Sequence, residues 1–267
     1  MPDTPSDSVA PFDSVVSRLR AAGCVFAEDE ARLLGAAART PAELDAMVDR
    51  RAAGLPLEHV VGLADFCGLR VRVGPGVFVP RRRTEFLVRR AAALAPPRPV
   101  VLDLCCGSGA LGAALVAGLG PDGCELHAAD IEPESVRCAR RNVGPLGGRV
   151  HEGDLFDALP ADLRGRVDVL LCNVPYVPSA EVALLPPEAR DHEPLVALDG
   201  GADGLGVLRR VTAEASGWLA PGGRLLFETS ERQVRDALDA VARGGLAPET
   251  ARCDKLYATV VIGTKSL

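Results

Sequence analysis

Where the apolar run Val167-Asp168-Val169-Leu170-Leu171-Cys172 stops, the chain continues Asn173-Val174-Pro175-Tyr176. A side-chain amide, a backbone carbonyl held ahead of a proline and an aromatic ring suit one kind of substrate, a planar nitrogen. Such a nitrogen, in an amide or an exocyclic amine, carries two N–H donors and a lone pair delocalised into a π system. The Asn173 side-chain oxygen and the Val174 carbonyl can each accept one N–H while the Tyr176 ring packs against the acceptor plane. Held this way, the lone pair points at a methyl group on a sulfonium sulfur. No strong general base is required if the proton leaves after charge has developed on nitrogen, stabilised by the same carbonyl dipoles.

A second constellation suits a nucleoside. The strand-like segment Val100-Val101-Leu102-Asp103-Leu104 runs into Cys105-Cys106-Gly107-Ser108-Gly109 and then a helical stretch. Gly107 and Gly109 are expected to let backbone approach a ligand where a Cβ would collide, and the helix start offers unpaired N–H groups. Asp130, with Ile131 beside it, ends the next strand about twenty residues on, where an acid can accept both ribose hydroxyls. Gly153-Asp154-Leu155-Phe156 supplies a carboxylate for an adenine amino group and apolar side chains for its ring. These features serve a dinucleotide and S-adenosylmethionine alike. A hydride-transfer enzyme also needs a nicotinamide pocket and an acid/base group, and none is recognisable around Asn173, so S-adenosylmethionine, with S-adenosylhomocysteine as product, is the expected cofactor.

The elements that must position these residues follow from periodicity. Phe12, Val15, Val16 and Leu19 recur at helical spacing, and Leu33 and Leu34 continue an apolar stripe. Thr40-Pro41-Ala42-Glu43 is a helix start with an N-cap threonine, proline at the first position and a glutamate placed for a capping box; Leu44, Met47 and Val48 follow as a buried face. From residue 55 to 80, short β-branched runs (Val60-Val61, 69–73, 77–79) broken by Gly62 and Gly74-Pro75-Gly76 predict a hairpin. Beyond Thr84, strands expected at 100–104, 125–131, 167–172, 224–229 and 256–262 alternate with amphipathic stretches, the pattern of a parallel sheet with helices on both faces. The predicted fold is α/β, with a small helical domain at residues 1–57, a β-hairpin linker at 58–80 and a doubly wound domain at 81–267. A Pro/Asp/Ser start at residues 1–11 is expected to be mobile.

Composition narrows the partners. A net charge of −6 gives no general pull toward phosphate backbones or anionic membranes. Nucleic acid is therefore not the expected partner, although Arg81, Arg82 and Arg83 with Arg89 and Arg90 form one local basic run. No Lys or Arg occurs in the first seventeen residues, and no apolar run has transmembrane length, so a cytoplasmic protein, a monomer, is expected. The eight cysteines include no Cys-x-x-Cys pair, no metal site is expected, and they are read as packing residues. Cys105 and Cys172 end strands that should be neighbours. His59, His127, His151 and His192 are dispersed and are read as loop or core residues.

Asn173 to Tyr176 resembles the asparagine-proline-proline-tyrosine signature of amino methyltransferases, with Val174 in place of the first proline. More narrowly, the whole chain resembles the protein-(glutamine) methyltransferases that act on the Gly-Gly-Gln loop of peptide-chain release factors. The resemblance is carried by Val77-Phe78-Val79-Pro80-Arg81 with Thr84-Glu85, by residues 103–109 and 153–156, and by Glu193-Pro194 with Ala197-Leu198-Asp199-Gly200-Gly201 and Asp203-Gly204-Leu205. It implies a Rossmann-like class I methyltransferase fold of seven mostly parallel strands behind a helical domain and hairpin, and a release factor as protein substrate. It also implies a cofactor site of Thr84, Asp103, Cys105, Cys106, Gly107, Ser108, Gly109, Asp130, Ile131, Asp154, Leu155 and Asn173. Asn173 and Tyr176 would be catalytic, and Asn173, Val174, Pro175 and Tyr176 would bind the acceptor. The alternatives are a nucleobase amine or the planar nitrogen of a small metabolite. Arg82 and Arg83 depart from the family, which has proline and an acid there. Val174, preceding Pro175, is still pushed toward an extended backbone.

Overall fold

The computed structural model describes residues 12–120 and 123–267; the mobile start expected at residues 1–11 lies outside them. Four helices come first: α1 (Phe12–Ala21), α2 (Ala27–Ala37), α3 (Pro41–Ala52) and α4 (Leu57–Val61). They close on a core of their own that includes Val15, Val16, Leu19, Leu34, Met47 and Val48. Two residues expected in the apolar stripes point outward. Phe12 is exposed with Arg32 over its ring, and Leu33 is exposed because its neighbour Leu34 takes the inward face. At the start of α3 the extended Thr40 accepts the Glu43 N–H at 3.1 Å. The Glu43 carboxylate reaches back to the Arg39 N–H at 2.8 Å, one residue beyond the reciprocal bond of a capping box. One buried ion pair crosses this core: Arg51 Nε and Nη2 lie 2.6 and 3.1 Å from the Glu30 carboxylate.

The hairpin is shorter than residues 55–80. Strands β1 (Leu63–Phe66) and β2 (Leu69–Arg72) pair antiparallel. Their turn is Cys67-Gly68, with φ of 50° and 77°, as a type I′ turn requires to match strand twist. Gly74-Pro75-Gly76 does not form it. Val60 and Val61 belong to α4, which Gly62 ends at φ 81°, and residues 77–79 form no strand.

Helices and strands then alternate: α5 (Glu85–Leu94), β3 (Val100–Leu104), α6 (Ala110–Leu119), β4 (Glu125–Asp130), α7 (Pro133–Val143), β5 (Arg149–Glu152), β6 (Val167–Cys172), α8 (Pro187–His192), α9 (Gly206–Trp218), β7 (Leu219–Glu228), α10 (Val234–Arg243), β8 (Ala247–Cys253) and β9 (Ala258–Thr264). Seven strands make one sheet in the order β5-β4-β3-β6-β7-β9-β8. The first five are parallel, and β9 runs antiparallel between β7 and β8. The last expected strand starts later than residue 256 because Asp254–Leu256 is a 3₁₀ turn closed by Tyr257 at φ 49°. The sheet's edge strand β8 carries Pro248, Glu249 and Arg252 and is largely exposed. Its polar sequence has no inward-facing alternation to betray it.

Central strands are apolar on both faces, as a doubly covered parallel sheet demands. Val101, Val169, Leu171 and Ile262 face α5, α6 and α7, where Leu87, Leu111, Leu115 and Val143 meet them. Leu102, Leu170, Leu225 and Phe227 face α9 and α10, with Leu208, Val211, Trp218 and Val241. Strand order reverses between β3 and β6, and the crevice beyond the C-terminal ends of strands at such a switch is where open α/β sheets take ligands. β3 delivers residues 105–109 to that point and β6 delivers residues 173–176.

Candidate active site

Two cavities meet at the switch point, and Phe78, Asn173 and Ala197 stand in the walls of both. The first is open to solvent at its mouth. Its floor is the turn after β3, where Cys105, Gly107 and Gly109 have φ of 56°, 55° and 75°. The turn is tied to the end of β4: Gly107 N–H donates to Asp130 Oδ2 at 2.7 Å and Cys106 N–H to the Ala129 carbonyl at 3.0 Å. Each of the two glycines also has a requirement within the protein. A Cβ on Gly109 would lie 2.7 Å from Val143 Cγ2, so its bare backbone makes room for α7. Gly107 meets nothing closer than Phe78 Cβ at 3.9 Å, and its positive φ is the requirement.

Asp130 lines this cavity, and its other oxygen accepts the Glu132 N–H at 2.9 Å. Burial raises its pKa against the lowering effect of those N–H donors, and each carboxylate oxygen keeps a second lone pair for a hydroxyl. Thr84, Cys105, Cys106, Ser108, Ile131, Asp154, Leu155 and Pro175 line the same space. Asp154 is held by Arg210 of α9 at 2.7 Å. Two residues from the expected cofactor set, Gly109 and Asp103, are not in the wall. Asp103 is buried behind it, with Oδ2 accepting the Gly112 N–H at 2.8 Å and Oδ1 without a partner among the described residues. Burial, with the Asp130 charge adding to it, pushes the Asp103 carboxyl up to about 7. It braces the first turn of α6.

The second cavity lies between residues 173–177, the segment 185–198 and Pro56 and Glu58 of the helical part. Val174, buried at 2% exposure, and Tyr176 line it with Arg81 and Arg83. The backbone here is held by the glycine loop downstream. Val177 N–H donates to the Leu198 carbonyl at 3.1 Å, and Gly200 N–H to the Val177 carbonyl at 2.8 Å. A Cβ on Gly200 would sit 2.6 Å from the Pro175 carbonyl oxygen, and one on Gly204 would overlap that of Tyr176. This accounts for glycine at both positions. Gln233 Nε2 donates to the Tyr176 and Asp203 carbonyls at 2.9 and 3.0 Å, a role no sequence pattern announced.

Tyr176 hydroxyl donates to Glu228 Oε1 at 2.9 Å, and burial, then the Glu228 charge, pushes its pKa up to about 12. It is no proton acceptor at neutral pH. Arg83, half-exposed, is no simple surface charge, since it donates to both groups. Asn173 Oδ1 is buried and has no hydrogen-bond partner among the described residues. An amide oxygen in that state costs free energy unless something donates to it, and it belongs to a residue in the wall shared by the two cavities.

Outside the site, Leu104 pairs with Cys172 across β3 and β6, which sets Cys105 beside Cys172 under the first cavity, where Cys172 is fully buried. The histidines are less dispersed than their numbers suggest. His127 and His151 stack at 5.2 Å on β4 and β5, with Nδ1 and Nε2 2.9 Å apart and His127 Nε2 3.1 Å from Glu125 Oε1. Phe78 and Pro80 fall within the segment 77–81 already singled out, whereas Val207 and Arg210 of α9 line the first cavity without any local signal.

The first cavity fits S-adenosylmethionine. Leu111, Leu155 and Val207 offer apolar wall to a base, Asp130 offers acceptors for vicinal hydroxyls, and the Asn173 oxygen, without a partner among the described residues, belongs to a residue that lines both cavities. Residues 101–191 match the family model described as a methyltransferase domain. A release factor glutamine methyltransferase of Geobacter sulfurreducens is 38% identical over 210 residues, covering 77% of this chain and 72% of that protein. A 4-amino-L-phenylalanine/4-methylamino-L-phenylalanine methyltransferase of Streptomyces pristinaespiralis is 37% identical over 194 residues, 70% of this chain and 65% of that one. A solved methyltransferase structure from Pyrococcus furiosus shares the fold, with a TM-score of 0.55 at 17% identity over 75% of this chain and 90% of that chain.

Proposed function

The chain belongs to the release factor glutamine methyltransferase family and is an S-adenosylmethionine-dependent methyltransferase, and on that premise we propose that it methylates the side-chain amide nitrogen of a glutamine in the Gly-Gly-Gln loop of a release factor. The observation that carries this reading is the buried, unpartnered Oδ1 of Asn173 in the wall common to both cavities. In the same reading residues 81–267 form the methyltransferase domain, residues 1–57 and 58–80 shape the acceptor side, and the protein acts as a cytoplasmic monomer on protein. The charge of −6 supports protein over nucleic acid, and no helix among the described residues is long and apolar enough to cross a membrane.

S-adenosylmethionine supplies a methyl group on a positively charged sulfur. Asp130 would hold the ribose and Asp154 the adenine amino group, with Thr84, Cys105, Cys106, Gly107, Ser108, Ile131 and Leu155 around them. Asn173 Oδ1 and the Val174 carbonyl accept the two N–H groups of the glutamine amide, which turns the nitrogen lone pair toward the first cavity. Tyr176 contributes its ring as a wall and not its hydroxyl as a base, because that hydroxyl is committed to Glu228. As the N–C bond forms the methyl–sulfur bond would break, leaving the neutral thioether of S-adenosylhomocysteine; positive charge grows on nitrogen, and the two carbonyl dipoles stabilise it until the proton passes to water.

Mass spectrometry of a release factor incubated with enzyme and labelled S-adenosylmethionine tests the reading. A single added methyl on the loop glutamine is expected. Asn173→Ala should keep cofactor affinity and lose on the order of 100-fold in kcat, the scale of one preorganised transition-state hydrogen bond. Label absent from the release factor overturns the substrate, and a wild-type rate in Asn173→Ala overturns the amide-holding mechanism. A second reading is the planar nitrogen of a small amino acid derivative, by similarity to the Streptomyces pristinaespiralis relative. Label on 4-amino-L-phenylalanine in place of the release factor would select it.

A further inference from the structure

Three side chains from two separate parts of the chain converge on one buried carboxylate beside the acceptor cavity. Glu228, at the end of β7, is 3% exposed. Its Oε2 accepts the Thr84 hydroxyl at 2.8 Å, and its Oε1 accepts Arg83 Nε at 2.7 Å and the Tyr176 hydroxyl at 2.9 Å. Arg83 Nη2 also donates to the Tyr176 oxygen at 2.6 Å. Arginine, carboxylate and phenol therefore form a closed triangle. A buried carboxylate needs such compensation, and a planar guanidinium spans both partners as a lysine ammonium cannot.

We propose that Arg83 is a positioning residue for the transfer reaction: it clamps the Tyr176 hydroxyl against Glu228 and so fixes the ring that bounds the acceptor cavity. The inference rests on the proposed methyl transfer at this site. Arg83 acts through Tyr176, and the two act as one unit. Removing either member frees the ring, and removing both costs no more than removing one. The run of three arginines thus divides, with Arg83 tied into the site and Arg82 outside the triangle.

A double-mutant cycle with Arg83→Ala and Tyr176→Phe, read as kcat and KM, tests the clamp. Each single change should lower kcat about tenfold, and the double variant should match the worse single. Cofactor affinity should stay at wild type, Arg83→Lys should recover only part of the loss, and Arg82→Ala should leave the rate unchanged. Multiplying losses in the double variant, or a wild-type kcat in Arg83→Ala, overturn the proposal. Should Arg83→Ala not fold, Arg83→Lys completes the same cycle.

A second readout needs no substrate. The chain has two tyrosines, and the other, Tyr257, is 93% exposed. In a Tyr257→Phe background ultraviolet titration reads Tyr176 alone, and its midpoint should fall in Glu228→Gln and rise in Arg83→Ala. A midpoint that ignores both changes overturns the clamp. If the wild-type enzyme transfers no methyl to any acceptor, the functional reading falls while this titration still decides the clamp.

Discussion

Asp130 Oδ2 accepts the Gly107 N–H at 2.7 Å, so a carboxylate that lines the first cavity also closes the glycine turn at its floor. Asp130→Ala removes acceptors from the ligand and a partner from the turn. A loss of roughly 1.5–3 kcal/mol, about 10- to 150-fold in cofactor affinity, is expected from a charged hydrogen-bonding group. Calorimetry returning a wild-type Kd would take Asp130 out of the site.

Asp103 should make stability fall with rising pH. Its carboxyl is pushed to about 7 by burial and the Asp130 charge, far above the ordinary value of about 3.9. The raised folded-state value means its favourable contribution is complete below about pH 4 and is lost as pH climbs through about 7. Asp103→Asn keeps an oxygen for the Gly112 N–H and removes the charge. Its Tm should exceed wild type at pH 8 and approach it at pH 5; a constant offset across that range would count against burial as the cause.

The histidine pair works in the opposite direction. Burial, then the neighbouring His127, lowers the pKa of His151. A depressed histidine contributes stability above its unfolded value of about 6.5 that disappears as pH falls through the lower folded value. His59, buried against the Val77 carbonyl, shifts the same way. Thermal melts between pH 7 and 5 should show Tm falling as the pH falls. His151→Phe, which keeps the stack and loses the titration, should flatten that slope.

Arg51 is 8% exposed and Glu30 11% exposed at the side chain. Truncating one partner leaves the other charge buried and unpaired, so Arg51→Ala should destabilise the helical part by about 3–5 kcal/mol. Arg51 Nη1 is also 2.7 Å from Glu188 of α8, in the wall of the acceptor cavity. Denaturant unfolding checks the first effect, and a raised KM for the acceptor in Arg51→Lys, at unchanged cofactor affinity, checks the second. Equal stability of Arg51→Ala and wild type would refute the assignment.

Legibility in the sequence followed the range of the interactions involved. The strands ending in Leu104, Asp130 and Cys172 were visible because a sheet covered on both faces writes itself as short, largely apolar runs. Thr40 and Pro41 marked α3 because a cap is set by neighbours in the chain. β8 was invisible, since its residues are polar and only pairing with β9 makes them a strand. In the site, turn residues 105–109 and the tetrapeptide 173–176 were legible as local motifs. Gln233, Glu228 and Arg210 were not, because each reaches the site from more than fifty residues away along the chain and carries no signature of its own. Gly109 also answers to Val143 on α7, a contact no spacing rule contains.

The fit of Gly200 and Gly204 against the Pro175 and Tyr176 carbonyls also constrains how this protein can diversify. With no room for a single methyl group at either position, the path of the tetrapeptide cannot drift unless two distant segments change together, an improbable joint step for a lineage. New acceptors are therefore reached from the other wall, through Leu185, Pro186 and Ala189, where side chains can be exchanged one at a time. In a saturation-mutagenesis map this would appear as two intolerant glycines facing a permissive wall, a fixed transfer geometry with an evolvable entrance.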